Sequence, residues 1–486
     1  MLPAGKSSDA KIFDKRAMEK GVASIILMEN AAFSLYIEAV KIIKSFKPEK
    51  IVLFAGRGGN GGDGFALLRI LRNRGCSLPM SVVPMFKEKA LSGDPLKNYE
   101  ILPQDVSFTE MDRISGKILF VDAMLGTGLS RKLSSKYIKA VDFVNDCSDK
   151  KVLSVDVPTG INSDTGSAMP AAVKADITVS FGIMKTGLYC SDGISHSGRI
   201  VHGKISAPEE CSKDAPFSVL EEKDLFWKPP AVDSYKTKNG HALFMAGDRT
   251  KRGAILIAAR AFMASGGGLA TVALEHEDIA HTAGLFPGLM LTDIHTISKR
   301  KEDFDVVVAG PGLTELPETT KTFFESFEGY FVLDAGMLHK ISEDRELFKM
   351  FASKKSVLTP HPGELSKMMS KLTDLNNLSW PELVEKFPLP ENHVLFAKNA
   401  ASFIRFGKSM RILPHGASAL SFGGTGDALT GIIASALCKN KNQFDAASSA
   451  GLLHRKAGIL LEKNYHASFH DIDALLSCLP DAMKGS

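Results

Sequence analysis

Short apolar runs, each followed by a turn and then by a helical pattern, recur along nearly the whole chain and constrain its fold more than any other feature. In the first half the runs are KIVLFAG, PMSVVPMF, KILFVDAM, KVLSVDVP and DITVSFG. Runs that stay apolar instead of alternating with polar residues are typical of strands buried on both faces, as in a parallel sheet covered by helices. Because such crossovers are right-handed, the pattern predicts an α/β fold with a doubly wound sheet.

The same alternation returns in the second half, after an interruption. From Ala207 the chain runs through a stretch rich in Pro, Lys and Glu that reads as a linker with a short docking segment. The later runs are HALFMAG, GLATVAL, FDVVVAG, YFVLDAG, SVLTP, HVLFAK and MRILP. A chain of 486 residues is too long for one core. We therefore predict two domains, residues 1–212 and 213–486.

Composition excludes several classes of protein. A net charge of +4 on this length gives no reason to expect a nucleic acid or an anionic membrane as partner. The N-terminus lacks the apolar core of a signal peptide, and the longest apolar stretch is too interrupted to span a membrane. The six cysteines have no zinc-type spacing and fit reduced thiols. We expect a soluble, cytoplasmic protein.

Three strand ends of the first half carry unusual loops, AGRGGNGGDG, VDAMLGTGLSRK and VDVPTGINSDTG. Ligands of open α/β sheets bind beyond the carboxyl ends of strands, and glycines there allow positive φ and close backbone approach. Gly56, Gly58 and Gly61 satisfy the dinucleotide fingerprint, but the ribose-binding acid expected about 20 residues later is not evident. Asp63 is placed to be the N-cap of the helix that begins FALLRIL, where it would repel a phosphate. The loop therefore favours neutral ribose or ring groups.

Oxygen-bearing side chains recur at these strand ends. Asn60, Asp122 and Thr159 offer hard ligands that suit a hard cation rather than zinc. Taken singly, Asp122 and Asp156 are equally compatible with ordinary caps at strand ends.

These segments resemble the NAD(P)H-hydrate epimerase family, the YjeF N-terminal domain. The resemblance rests on LMENAA, GNGGDG, DAMLGTGL, DVPTGI with DTG, and TVSFGIMKTG. It implies a Rossmann-like domain that converts the R hydrate of the nicotinamide ring to the S form at C6, with Asp156 as the candidate for proton transfer. It also implies a potassium ion held by Asn60, Asp122 and Thr159. The substrate contacts it implies are Gly59, Asn60, Gly61, Gly62, Asp63, Gly126, Thr127, Gly128, Leu129, Ser130, Arg131, Lys132 and Asp156. Gly59 and Thr159 depart from the family's usual Asn and Ser.

The run SFGGTGDALTGIIASAL is the most informative part of the second half. Its glycine-rich turn leads directly into a helix, whose free N–H groups form a nest for an oxyanion or a phosphoryl group. Asp427 beside that nest is placed to accept a proton from an attacking hydroxyl. An N-cap aspartate after a glycine turn is the alternative. Gly431, one turn later, favours the anion hole.

This run resembles the ribokinase-like superfamily, and AGPGL, LDAGML and LTPHPGEL narrow the resemblance to its NAD(P)H-hydrate dehydratase branch. It implies a C-terminal α/β/α domain that uses ADP and Mg²⁺ to restore NAD(P)H, releasing AMP and phosphate. The residues themselves do not distinguish ADP from ATP. Implied contacts to the S hydrate are Ala254, Gly312, His361 and Asp427. Implied contacts to the nucleotide are Lys398, Asn399, Ala400, Ala401, Ser402 and Gly426. Gly336 and Asn399 depart from the family pattern.

The resemblance therefore predicts a homo-oligomeric enzyme acting on NADHX and NADPHX. One alternative is a ribokinase-class small-molecule kinase fused to a nucleotide-binding domain. A second is an N-terminal half that binds nucleotides without catalysing a reaction, which the Gly59 and Thr159 departures leave open.

Overall fold

The computed structural model describes residues 1–129, 131–245, 250–370, 378–440 and 442–484. The chain divides into two compact units, Leu2–Val219 and Leu220–Ser486 together with Met1. We call them the N-terminal unit and the C-terminal unit. No helix within the described ranges is long and apolar enough to cross a membrane.

The N-terminal unit is an α/β layer structure. Its strands are β1 (Leu2–Gly5), β2 (Lys50–Ala55), β3 (Met80–Pro84), β4 (Ser107–Phe108), β5 (Ile118–Ala123), β6 (Lys150–Val155), β7 (Ile177–Phe181), β8 (Met184–Lys185), β9 (Arg199–Gly203) and β10 (Phe217–Val219). Its helices are α1 (Ser7–Glu19), α2 (Ser24–Phe46), α3 (Gly59–Asn73), α4 (Gly93–Glu100), α5 (Ser135–Asp146) and α6 (Gly193–His196). The main sheet has the order β4-β3-β2-β5-β6-β7-β9, with all neighbours parallel. β1 pairs antiparallel with β10 and parallel with β8.

Both faces of this sheet are covered, as the apolar strands predict. Along β5, Leu119 and Val121 join the core formed with α2 and α3, whereas Ile118 and Phe120 join the core on the α5 side. Successive strand residues point to opposite faces, so each face needs its own apolar set. The predicted doubly wound sheet is confirmed.

The C-terminal unit is a second α/β structure. Its strands are β11 (His241–Met245), β12 (Leu269–Leu274), β13 (Met290–Asp293), β14 (Val306–Ala309), β15 (Tyr330–Leu333), β16 (Lys355–Leu358), β17 (His393–Ala397), β18 (Ser402–Phe406) and β19 (Ser409–Leu413). Its helices are α7 (Arg252–Ala264), α8 (His276–Thr282), α9 (Glu318–Ser326), α10 (Ala335–Glu343), α11 (Arg345–Ala352), α12 (Pro362–Ser370), α13 (Trp380–Lys386), α14 (Thr425–Lys439), α15 (Gln443–Asn464) and α16 (Ile472–Met483). The order is β13-β12-β11-β14-β15-β16-β17-β18-β19, parallel as far as β17 and antiparallel beyond it.

Helices cover both faces of this sheet as well, which confirms the predicted α/β/α layers. On one face Val332 of β15 lies in the core built with α7, α14 and α15. On the other face the neighbouring Phe331 packs edge-on against Phe324 of α9 and Phe351 of α11, with ring centroids 5.5 and 5.1 Å away. Edge-to-face packing of aromatic rings at these distances is favourable.

Gly431 serves the packing of α14 against α7. A Cβ atom at Gly431 would lie 2.0 Å from the carbonyl oxygen of Ala258. No side chain fits there, so a glycine is needed for the two helices to approach. This helix contact explains Gly431, so the predicted anion hole rests on the other residues of the glycine-rich turn.

The predicted docking segment is present in the Pro- and Lys-rich stretch. Trp227 is buried, and its indole N–H donates a hydrogen bond to the carbonyl oxygen of Ser265 at 3.0 Å. The other tryptophan of the chain, Trp380, opens α13. Both tryptophans therefore belong to the C-terminal unit.

Candidate active sites

A cavity of about 1170 Å³ lies at the carboxyl ends of β2, β5 and β6 in the N-terminal unit. It brings together most of the predicted epimerase contacts. Those lining it are Gly59, Asn60, Asp63, Gly126, Thr127, Gly128, Leu129, Arg131, Lys132 and Asp156. Gly61 and Gly62 are not among the lining residues, and Ser130 lies outside the described residues. Arg57, Arg131 and Lys132 are exposed around it, so part of its wall is basic.

The glycines of the first loop permit close backbone approach, not positive φ. None of the glycines between residues 56 and 64 has a positive φ, so that expectation is wrong for this loop, whereas Gly160 and Gly166 of the third loop confirm it with φ of +98° and +74°. A Cβ at Gly56 would lie 1.8 Å from the carbonyl oxygen of Met124, and one at Gly61 would lie 1.9 Å from that of Gly56. Nothing lies within 4 Å of a Cβ at Gly59, so an asparagine would fit there.

Asp63 is not a helix N-cap. α3 begins at Gly59 with Gly58 as its N-cap, which puts Asp63 in the second turn of the helix. Its side chain is buried in the cavity wall. Burial raises the pKa of Asp63 well above its ordinary value, Asp156 and Asp14 raise this pKa further, and Lys185 lowers it.

Asp156 sits in a strained turn at the end of β6. Its φ is +65°, and Val157 donates a backbone hydrogen bond to Val155 at 2.8 Å across it. Such backbone conformations are uncommon for residues other than glycine and gather at functional sites. The Asp156 carboxylate accepts a hydrogen bond from the Ser180 hydroxyl at 3.1 Å.

The partner of Asp156 is Lys185, which the sequence interpretation did not single out. The Lys185 ammonium forms an ion pair with Asp156 and donates a hydrogen bond to the carbonyl oxygen of Phe181 at 2.9 Å. The Lys185 side chain is only 3% exposed. A buried lysine is rare unless it is paired. The sequence did carry one signal for this residue, since Lys185 is a lone lysine inside the apolar run FGIMKTGLY.

Two of the three residues implied for the potassium ion, Asp122 and Thr159, are hydrogen-bonded to each other. Asp122 accepts hydrogen bonds from the Thr159 hydroxyl at 2.6 Å, the Thr159 N–H at 2.8 Å and the Ser154 hydroxyl at 2.9 Å. Burial raises the pKa of Asp122, and these hydrogen bonds lower it. The Asn60 amide donates to the carbonyl oxygen of Val155 at 2.7 Å. A buried carboxylate surrounded by neutral donors and oxygen atoms fits a hard monovalent cation.

In the C-terminal unit, four loops meet at the carboxyl ends of the parallel strands β14 to β17. Gly336 donates a backbone hydrogen bond to Gly310 at 3.2 Å, which joins AGPGL to LDAGML. Lys398 donates one to Pro360 at 2.8 Å, which joins KNAAS to TPHPGE. A Cβ at Gly336 would lie 1.8 Å from the carbonyl oxygen of Leu313, which explains glycine at this position.

Asp427 lies in the first turn of α14, beside a hydrogen-bonded group of Asp334, Lys398 and Thr430. The Lys398 ammonium donates a hydrogen bond to Asp334 at 2.7 Å, and the Thr430 hydroxyl donates to the other Asp334 oxygen at 3.0 Å. The pKa of Asp427 is raised to about 6, first by burial and then by the negative charge of Asp334, against the lowering effect of Lys398. A Cβ at Gly426 would lie 3.5 Å from the Lys398 ammonium, so the helix start and this lysine are neighbours. Asp334 and Thr430 were not predicted as site residues.

Two other predicted dehydratase contacts, His361 and Gly312, differ in how closely other residues surround them. The His361 ring is exposed and accepts the N–H of Gly363 at 3.0 Å, so it supports the start of α12. Gly312 has a φ of +71°, and a Cβ there would lie 2.4 Å from the carbonyl oxygen of Lys251, next to the α7 turn that holds Ala254.

The KNAAS loop is held by its own polar residues. The Asn399 side chain accepts the N–H of Ala400 at 2.8 Å, and the Ser402 hydroxyl donates to the carbonyl oxygen of Asn399 at 3.2 Å. The side chain of Ala401 is fully buried. Lys398 is therefore the residue of this loop whose side chain contacts Asp334, the acid beside Asp427.

Comparisons with known proteins match both units. Residues 24–187 match the family described as YjeF-related protein N-terminus, and residues 242–480 match the family described as NAD(P)H-hydrate dehydratase. The bifunctional NAD(P)H-hydrate repair enzyme Nnr of Coxiella burnetii is 30% identical over 91% of this chain and 92% of its own length. The chain belongs to the bifunctional NAD(P)H-hydrate repair enzyme family. A repair enzyme of Hyperthermus butylicus is also 30% identical, over 98% of this chain and 92% of its own length.

Part of this chain is also similar to solved structures. One is the ADP/ATP-dependent NAD(P)H-hydrate dehydratase of Bacillus subtilis, co-crystallised with ATP and Mg²⁺. It is 25% identical, with a TM-score of 0.45, and the match covers 55% of this chain and 98% of that one.

Proposed function

We propose that the N-terminal unit interconverts the R and S forms of NADHX and NADPHX, and that the C-terminal unit dehydrates the S form with ADP. The products of the second reaction are NAD(P)H, AMP and phosphate. The supporting observation is that each unit has its own acid-bearing site at the carboxyl ends of parallel strands, within a chain that matches both families in order. We assign residues 1–212 to the epimerase domain and 213–486 to the dehydratase domain, although the compact N-terminal unit continues to Val219.

At the epimerase site, the proton moves near the C6 hydroxyl of the hydrated ring. Asp156 is our candidate for this transfer, since it lines the cavity and its backbone is held in an uncommon conformation. Asn60, Asp122 and Thr159 would hold the potassium ion. When bound, the ion would offset the charge of the buried Asp122 carboxylate. Arg131 and Lys132, which are exposed at the cavity, are our candidates for binding the phosphates of the substrate.

At the dehydratase site, Asp427 takes the proton of the C6 hydroxyl, which then accepts a phosphoryl group and becomes a good leaving group. The N–H groups at the start of α14 stabilise the transferred group. Lys398 and the residues around it bind the nucleotide. Mg²⁺, when bound together with the nucleotide, would neutralise the charge of its phosphates.

The test uses the full chain with a mixture of both NADHX epimers and either ADP or ATP. We expect the absorbance of NADH to return until both epimers are consumed. A faster rate with ADP than with ATP would identify the donor. No recovery with either nucleotide would contradict the proposal, whereas a stable phosphorylated vitamin or sugar would support the kinase alternative, which the family matches do not favour.

A further inference from the structure

Four charged side chains from four different elements meet at the N-terminal cavity. Asp14 comes from α1, Asp63 from α3, Asp156 from the end of β6 and Lys185 from β8. The direct contact of Lys185 goes to Asp156. The cavity therefore holds one acid in a tight ion pair and two acids that lysine influences only at a distance.

Asp63 lies in an apolar wall. Its helical neighbours pack so tightly that a Cβ at Gly62 would lie 2.7 Å from Met28 Cε, and one at Gly64 would lie 2.6 Å from Leu53 Cδ1. The carboxyl group thus emerges from a closely packed helix into the cavity that Asp156 also lines. An acid in such a wall is easier to keep neutral than ionised.

We infer that Asp63 and Asp156 divide the proton transfers of epimerisation, with Asp63 as the donor and Asp156, the ion-pair partner of Lys185, as the acceptor. This inference rests on the proposed epimerase function. Two acids in different surroundings, one in an apolar wall and one beside a cation, are the arrangement that acid–base catalysis needs. The raised pKa of Asp63, caused first by burial and then by Asp156 and Asp14, agrees with the donor role.

The chemistry balances with water as the only other reactant. The protonated Asp63 gives its proton to the C6 hydroxyl, and the C6–O bond breaks with its electron pair leaving on water. The lone pair of the ring nitrogen forms a C6=N bond. A water molecule then attacks C6 from the other face, the nitrogen recovers its electron pair, and Asp156 takes the proton of the attacking water. Before the next turnover, Asp156 releases its proton to solvent and Asp63 takes one up from solvent.

The test measures R-to-S interconversion by the full chain without nucleotide, so that the C-terminal site is idle. For Asp63→Asn we expect kcat to fall by roughly 100- to 10,000-fold, with KM within about threefold of wild type. The wild-type rate should fall at high pH, where Asp63 loses its proton, and the variant should lack this alkaline limb. Asp142→Asn, an exposed acid on α5, is the matched control and should keep wild-type rates.

Lys185→Met tests the other half of the pair. Without the ammonium, the Asp156 carboxylate loses its ion-pair partner, so kcat for R-to-S interconversion should fall while KM changes little. If wild type does not interconvert the epimers, the proposed function itself fails. If wild type is active and Asp63→Asn keeps its kcat and alkaline limb, only the donor assignment is overturned. Should Asp63→Asn not fold, a wild-type kcat in Lys185→Met overturns the inference.

Discussion

At the scale of single residues, both sites rely on acids whose charge is set by their surroundings. Asp427 combines a buried position with Asp334 as a negative neighbour and Lys398 as a positive one. Its pKa of about 6 lies close to neutral pH, which suits a base that must accept a proton and later release it.

The dehydratase should therefore lose activity as the pH falls through about 6, because Asp427 must be ionised to accept a proton. Lys398 lowers the pKa of Asp427, so Lys398→Met should move the midpoint of this loss to higher pH. The measurement is the pH profile of kcat/KM for the S hydrate at saturating nucleotide. An unchanged midpoint in the variant would show that Asp427 is not the group that titrates.

The sequence motifs identified Asp156, Asp427 and Lys398, but not the contacts that these residues make. Asp156 and Asp427 follow recognisable loops, whereas the group around each one is assembled by the fold. Lys185 is 29 residues from Asp156, and Lys398 and Thr430 are 64 and 96 residues from Asp334. A single sequence carries no signal for contacts over such separations, except for the oddity of a lysine in an apolar run.

At the scale of elements, the buried strands were predictable and the element boundaries were less so. Each predicted run contains a strand, since a continuous apolar run of this length has few other uses in a protein this size. α3 begins at Gly59, earlier than predicted, because its glycines hide the first turn of the helix. Seven strands were not predicted, namely β1, β4, β8, β9, β10, β13 and β18. β18, for example, forms an antiparallel pair with β17.

The contact of α7 with α14 gives a test of packing. Gly431→Ala would place a methyl group 2.0 Å from the carbonyl oxygen of Ala258, so we expect a loss of about 1–3 kcal/mol in the free energy of unfolding. Gly253→Ala, at an open position of α7, is the control and should be neutral or stabilising by up to about 1 kcal/mol. Urea denaturation followed by circular dichroism measures both, and equal stability of the two variants would contradict the packing argument.

At the scale of the whole molecule, each site is built from one unit alone. The N-terminal cavity is lined by residues between Ala10 and Ile205, and the acidic group of the C-terminal unit comes from residues between Asp334 and Thr430. The S hydrate must then leave one site before it enters the other. The two reactions are consequently expected to be separable in one chain.

Separability predicts that two defective proteins can complement each other. With a mixture of hydrate epimers and ADP, Asp427→Asn should return no NADH, and Asp63→Asn should consume the S form and then slow to the uncatalysed rate of epimerisation. The two variants mixed should recover both epimers, as wild type does. Absorbance at equal total protein measures this, and a mixture no better than Asp63→Asn alone would contradict the two-site arrangement.

The placement of both tryptophans in the C-terminal unit has a practical consequence for spectroscopy. Light absorbed selectively by indole excites only the C-terminal unit. The tryptophan emission of this chain therefore does not report melting of the N-terminal unit. Trp227, buried against Ser265, should emit at shorter wavelength while its surroundings are intact. Introducing one tryptophan into the N-terminal unit would give that unit a fluorescent probe of its own.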